Sequence, residues 1–134
     1  MLLDDIAAYL LAQGVATQIG GATPYTAWPV FEGYFPDDTD QMMAVFETGG
    51  KPALTMNREN SEFNFQLRVR GARLNYAVTH AQWEVAFNAL QDSKPTSAYA
   101  LVQAMHYGPL VFNDDRGRTN LVSNFRVNRL TVGA

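Results

Sequence analysis

Residues 63–71 read Phe63-Asn64-Phe65-Gln66-Leu67-Arg68-Val69-Arg70-Gly71, and this stretch decides the fold. Apolar and polar side chains alternate without a break from Phe63 to Arg70, the period of two expected of a half-buried strand with one wet face. Gly71 is expected to end the strand. Over residues 72–92 the period changes. Leu74, Ala77, Val78, Ala81 and Val85 cluster on one side of a helix of about 3.6 residues per turn. Tyr76, Trp83, Phe87 and Leu90 make a second apolar stripe on the opposite side, so this helix must be covered twice. The small-residue face is expected to approach a sheet closely. The aromatic face then needs a cover from an N-terminal helix, a long loop or another subunit.

Working outward, Met42 to Glu47 before Gly49-Gly50 fits a mostly buried strand ended by a turn. Leu3, Ile6, Leu10 and Leu11 follow the spacing of one helical face, with Asp4 and Asp5 near the positive end of the helix dipole and Gly14 at the capping position, which predicts a helix over residues 2–13. Residues 15–41 read as a long loop containing one or two short strands, the apolar patch Trp28–Phe35 being the part able to pair. Beyond Lys94-Pro95, alternation returns from Tyr99 to His106 and is broken by Gly108-Pro109. A short strand Leu110–Phe112, a turn Asn113–Arg118 and a last strand Asn120–Val132 form a hairpin. Leu130 and Val132 fall out of phase with Leu121, Phe125 and Val127, which predicts a bulge near Asn128. The expected fold is α+β, a mostly antiparallel sheet of four to six strands packed against one long helix, with a short N-terminal helix and a long loop, as a single domain over residues 1–134.

Composition narrows the function. A chain of 134 residues that is 47% hydrophobic can bury a core without staples, and its 8 Phe, 6 Tyr and 2 Trp argue against disorder. With no Cys there is no disulfide framework, thiolate metal site or cysteine nucleophile. The longest apolar run, Ile6–Ala12, is far short of the roughly 20 residues that cross a bilayer. Asp4 and Asp5 occupy the place where a secretory signal carries basic residues, so Met1 is expected to open the mature fold. Ten basic residues face 13 acidic ones for a formal charge of −3, a balance that does not suit tight binding of DNA phosphates.

Catalytic apparatus is not visible. His80 and His106 lack the spacing of a metal pair and are expected in structural roles. Asp37, Asp38 and Asp40 lack the glycine and late glutamate of a calcium loop and read as solvated or capping residues. Asp114 and Asp115 beside Arg116 and Arg118 read as an exposed hairpin tip, which offers no desolvation to tune a carboxylate. No phosphate loop, nucleophile elbow or dinucleotide fingerprint occurs, so no catalytic, cofactor or metal residues are assigned. What remains is recognition. Arg68 and Arg70 share the wet face of their strand with Asn64 and Gln66, and Arg126 and Asn128 alternate outward from the last strand. These ladders are either a solvated face or a polar protein contact in which arginine forks meet a neighbour's carboxylates. The interface candidates are therefore Asn64, Gln66, Arg68, Arg70 and Arg126 on the strands, Tyr76, Trp83 and Phe87 on the helix, and Asp114, Asp115 and Arg116 at the hairpin tip.

Several segments taken in order carry a family resemblance: Met1–Leu10 with Gly14-Val15, Glu32-Gly33-Tyr34-Phe35-Pro36-Asp37-Asp38, Val45–Gly50, Gln66–Gly71, and Asn113–Arg118 leading to Asn124–Val127. Together they resemble the minor capsid or tail terminator proteins of long-tailed bacteriophages. Each segment is a turn or strand signature, and residues 18–29 depart from the pattern. The resemblance implies a structural, non-enzymatic virion protein assembled in the host cytoplasm. It would form a homo-oligomeric ring, a hexamer, at the head-proximal end of the tail tube, ending tube growth and joining tail to head. Its partners would be the tail tube protein and a head-tail connector, with DNA passing through the lumen without tight binding and no cofactor or membrane involved. Another connector or stopper of the virion neck is the alternative; a small-molecule-binding or enzymatic domain would have to use loop 15–41 and His80.

Overall fold

A computed structural model describes residues 2–20, 25, 27–51, 61–106 and 108–129. Its centre is the stretch quoted above. Strand β4 (Ser61–Arg73) buries Phe65, Leu67 and Val69 completely and keeps the alternation expected of it. It pairs antiparallel with β3 (Met42–Lys51) on one side, Leu67 opposite Val45, and antiparallel with β7 (Arg118–Arg129) on the other, Leu67 opposite Ser123. Beyond β3 lie β2 (Pro29–Glu32) and β1 (Gln18–Ile19), both added in parallel. The far side of β7 carries β5 (Gln103–Ala104) and β6 (Leu110–Asn113), both antiparallel to it. The sheet is therefore mixed and has seven strands among the described residues, more than the four to six expected, because both short strands of the loop before β3 join it, and they do so in parallel, which no local period announces.

Helices α1 (Leu2–Ala12) and α2 (Tyr76–Leu90) both lie on one sheet face, so the sheet is not packed against a single long helix. Ile6 and Leu10 of α1 share one core with Met43, Val45 and Leu67 of the sheet and with Trp83, Phe87 and Leu90 of α2, which Phe65, Leu121 and Phe125 complete. Phe65 stacks on Phe125 with ring centres 5.2 Å apart, and Phe87 lies 5.7 Å from Phe125. Burial of each such ring contributes roughly 1.5–3 kcal/mol. The Gly14 cap behaves as the sequence suggests. Its φ of 74° lets Val15 N–H reach the Leu10 carbonyl and Gly14 N–H the Leu11 carbonyl, which closes the last turn of α1.

The orientation of α2 is the reverse of the sequence-based expectation. Trp83 and Phe87, 6% and 9% exposed, face the sheet, whereas Val78 and Val85 of the small-residue stripe are 44% and 52% exposed. The cause lies at Gly71, which does not end β4; the strand runs on to Arg73 through a register shift between Arg70 and Arg73. A Cβ added at Gly71 would stand 1.6 Å from Thr79 Oγ1, so the glycine lets α2 approach through Thr79. That contact, together with Ala86, turns the flanking aromatics inward. The helix consequently begins at Tyr76 and not near residue 72, after Leu74 adopts a φ of 59°.

The stretch Tyr99–His106 forms only the two-residue β5, because Tyr99 and Val102 turn into the core while Leu101 and Met105 point out. The hairpin from Leu110 to β7 forms as expected, and β3 carries its irregularity between Glu47 and Gly49, where Gly49 has a φ of 100°. The bulge expected near Asn128 does not occur: β7 keeps one register with β4 from Asn120 to Arg129, while Leu130 and Val132 lie outside the described residues.

Candidate functional site

The second sheet face carries the arginines. Directly opposed residues share a face, so register sets Ala44, Arg68, Val122 and Leu110 in one row and Met42, Arg70, Asn120 and Phe112 in the next. Residues 33–41 fold back over these rows. Phe35 packs near Phe46, 6.5 Å between ring centres, and with Tyr25 they cover a small second core of Phe31, Met42 and Ala44. The face expected to be either solvated or a polar contact with a neighbour is thus covered in part by the protein's own loop.

Arg70 is 2% exposed. Its Nε donates to the Asp40 carbonyl at 3.3 Å and its Nη2 to the Pro36 carbonyl at 2.6 Å and to the Thr39 carbonyl. One guanidinium therefore satisfies three loop carbonyls that the strands cannot reach. Burial pushes its pKa down to about 10, and nearby Arg118 adds to this, yet the group stays charged at neutral pH.

Arg118, at the start of β7, is buried alongside it. Its Nε donates to Asp114 at 2.8 Å, its Nη2 to Asp37 at 2.5 Å, and Asp40 lies 3.5 Å from its Nη1. Burial pulls the Arg118 pKa down, but the hydrogen bonds to Asp37 and Asp114 outweigh it and leave the group above its ordinary value. The Arg118 hydrogen bond holds the Asp37 carboxyl below its usual range, assisted by Arg116. Asp114 is likewise lowered: burial opposes the shift, and hydrogen bonds from the backbone and side chain of Arg118 overcome it. Asp114 also accepts the Arg116 and Arg118 amides, which shapes the turn. The hairpin tip is consequently locked to loop 36–40 and is not an independent protrusion. Arg116 and Asp115 remain exposed at its end, with an Arg116–Asp37 pair of 2.9 Å between largely solvated groups that contributes little.

Arg68 is held differently. Its guanidinium carbon lies 5.1 Å from the Phe35 ring centre, 5.6 Å from Phe46 and 5.4 Å from Phe112, and its Nε is buried with no hydrogen-bond partner. Burial lowers its pKa. Phe35, Arg68, Arg70, Phe112, Asp114 and Arg118 are among the walls of an open cleft of about 620 Å³. Asp37 and Asp114 at this cleft are engaged by Arg116 and Arg118, whereas Asp115 forms no salt bridge among the described residues; Arg68 and Arg70 form none either, but Arg70 is taken up by loop carbonyls while the Arg68 Nε has no partner.

The other candidates disperse. Gln66 donates to Asn124 at 3.3 Å, Asn64 is half-buried beside it in the sheet, and exposed Arg126 donates to Gln103 at 3.3 Å, all further along the same sheet face. Trp83 and Phe87 are inside the fold, the Trp83 Nε1 donating to Ser123 Oγ at 2.7 Å. Tyr76 stays half exposed, with its ring 5.6 Å from His80. Sequence reading did not place Phe35, Asp37, Phe112 or Arg118 at one site. The available signal was the strand register, since the turn Asn113–Arg118 places Phe112 opposite Asn120 and thereby beside Arg70. Among the described residues no group of three or more His, Asp or Glu is arranged to hold a metal ion, and no helix is long and apolar enough to cross a membrane.

These features define an α+β domain in which a helix pair covers one face of a mixed sheet and an arginine-pinned loop covers part of the other. The same fold occurs in a chain of the virion of a native gene transfer agent particle, with a TM-score of 0.61 and 12% identity over 79% of this chain and 80% of that one. No protein-family model matches the sequence. No curated protein matches it significantly.

Proposed function

We propose that this chain is a structural virion protein of the tail terminator type. Copies form a ring, a hexamer, at the head-proximal end of a tail tube, end tube growth and join the tail to the head. The observation that carries the proposal is the shared fold over about four-fifths of both chains with a component of a virion, and the sequence resemblance to long-tailed phage terminators points the same way. Surface left unfilled by folding supports it. Val78 and Val85 on α2, and Leu110, Val111 and Phe112 on β6, are large apolar side chains that the domain does not bury, and two separate patches are what a closed ring of head-to-tail contacts requires. The tail tube protein and a head-tail connector are the partners on either side, which places the protein in the virion neck. A net charge of −3 suits a lumen through which DNA slides without being gripped. The role asks for no catalytic group.

Electron microscopy of the purified protein mixed with tail tubes tests the reading. Rings seated at one tube end, and tubes that stop elongating on addition of the protein, are the expected result. Tubes that keep growing with bare ends refute it.

A further inference from the structure

Two surfaces on opposite faces of the sheet are each incomplete. On the outer side of α2, Val78, Ala81 and Val85 recur at helical spacing and are all exposed, and Leu74, just before the helix, is exposed as well. This helix has one residue of formal charge, Glu84, and it stands exposed at the margin of that stripe without a salt-bridge partner among the described residues. On the other face, Phe112, 42% exposed, walls the cleft beside Arg68, and Leu110, 65% exposed, lies in the row of Arg68 on the far side of β7.

The two surfaces are complementary: an apolar stripe with an unpaired carboxylate at its margin, and a cleft whose Arg68 guanidinium lies among aromatic rings with no salt bridge among the described residues. Three flanking rings restrain the plane of the Arg68 fork, so less ordering entropy is lost when a carboxylate meets it. Because the helices cover one sheet face and the cleft opens on the other, a molecule cannot join these surfaces within itself. A contact that uses both leaves a free copy of each at its ends, which is the geometry of head-to-tail association.

We propose that α2 of one copy packs on the β6 side of a second copy and seats its Glu84 carboxylate on the Arg68 guanidinium. This inference rests on the assembly reading above and names the contact within it. It commits to a second copy because charge and apolar surface are complementary between two patches of this one chain.

Charge reversal followed by sedimentation velocity tests it. Arg68→Glu and Glu84→Arg should each weaken self-association about tenfold or more, and the doubly reversed protein should recover to within about threefold of wild type. Circular dichroism checks that each variant is folded. If Arg68→Glu fails to fold, Arg68→Gln and Glu84→Gln replace the reversals, and the combined variant should then associate no more weakly than the worse single one. A doubly reversed protein no stronger than its single parents, additive losses in the Gln pair, unchanged association in both single variants, or a wild type that stays monomeric at about millimolar concentration would each overturn the proposal. Should tube capping persist under any of those results, the terminator reading stands and only this contact is lost.

Discussion

Gly71→Ala is the sharpest test of how this fold is held. The added methyl would stand 1.6 Å from Thr79 Oγ1 and 2.8 Å from Thr79 Cβ, against an ordinary contact of roughly 3.4–4 Å. Rotating the threonine does not solve the problem. It gives up the 2.9 Å hydrogen bond from Thr79 Oγ1 to the Asn75 carbonyl and still leaves the two Cβ atoms too close. The helix must therefore lift, and it lifts where Trp83, Ala86 and Phe87 interlock with β4 and β7. Overpacking a core usually costs about 1–3 kcal/mol; with a backbone element forced to move, we expect the upper end, about 3 kcal/mol. Thr79→Ala should recover only part of this, because its Cβ remains. Thr79→Gly should recover more, less the roughly 1 kcal/mol that glycine costs inside a helix. Urea unfolding followed by circular dichroism reads the stabilities of wild type, the three single and the two double variants, and the cycle with Thr79→Gly should show coupling of about 1–3 kcal/mol. A Gly71→Ala protein within about 0.5 kcal/mol of wild type, or no coupling to Thr79, would falsify the close-approach account.

Other consequences concern the loop, the core and pH. Arg70→Met should strand the carbonyls of Pro36, Thr39 and Asp40, cost about 1–3 kcal/mol and open residues 36–40 to limited proteolysis; a loop as resistant as wild type contradicts the pinning role. Trp83→Ala should cost about 3–5 kcal/mol, and Trp83→Phe about 1–2 kcal/mol for the hydrogen bond lost to Ser123, both seen in denaturant unfolding. Glu32 gives a pH signature. Burial, with Asp4 beside it, raises its pKa from 4.5 to about 7, so the fold favours the neutral carboxyl and its contribution disappears as pH rises through about 7. Glu32→Gln should therefore melt higher than wild type above pH 7 and converge with it below about 4.5; the opposite order contradicts the assignment. Asp37 and Asp114 act with the other sign, because both are held below the usual 3.8. The loop-to-hairpin lock should hold above that value and loosen as pH falls beneath it, visible as loss of the Arg118 side-chain NMR signals from their restrained positions.

Much of the architecture was legible in the order of residues, for reasons that are local. Alternation from Phe63 to Arg70 specifies β4 because side chains of a strand point to opposite faces in turn. The apolar face of α1 and the Gly14 cap, and the dense turn Asn113–Arg118, act within a few residues of themselves and emerge where expected. A strand within Trp28–Phe35 was legible and is β2, but the parallel pairing of β1 and β2 was not, since partners far apart in sequence pair through backbone groups that every residue carries. The candidate cleft was half legible: the arginines stood out, but their partners Phe35, Asp37 and Phe112 come from segments that local patterning treats as separate.

Helix α2 shows where local information stops. Its period states that two stripes are apolar and is silent on which one turns inward, because both solutions satisfy the same helical repeat. Tertiary packing chooses: a strand with no side chain at Gly71 admits Thr79, the aromatics fill the space beside it, and Val78 and Val85 are left outside. The same long-range packing lays residues 33–41 over Arg70 while leaving Arg68 without an acid, so the number of arginines is a property of the chain and their availability a property of the fold.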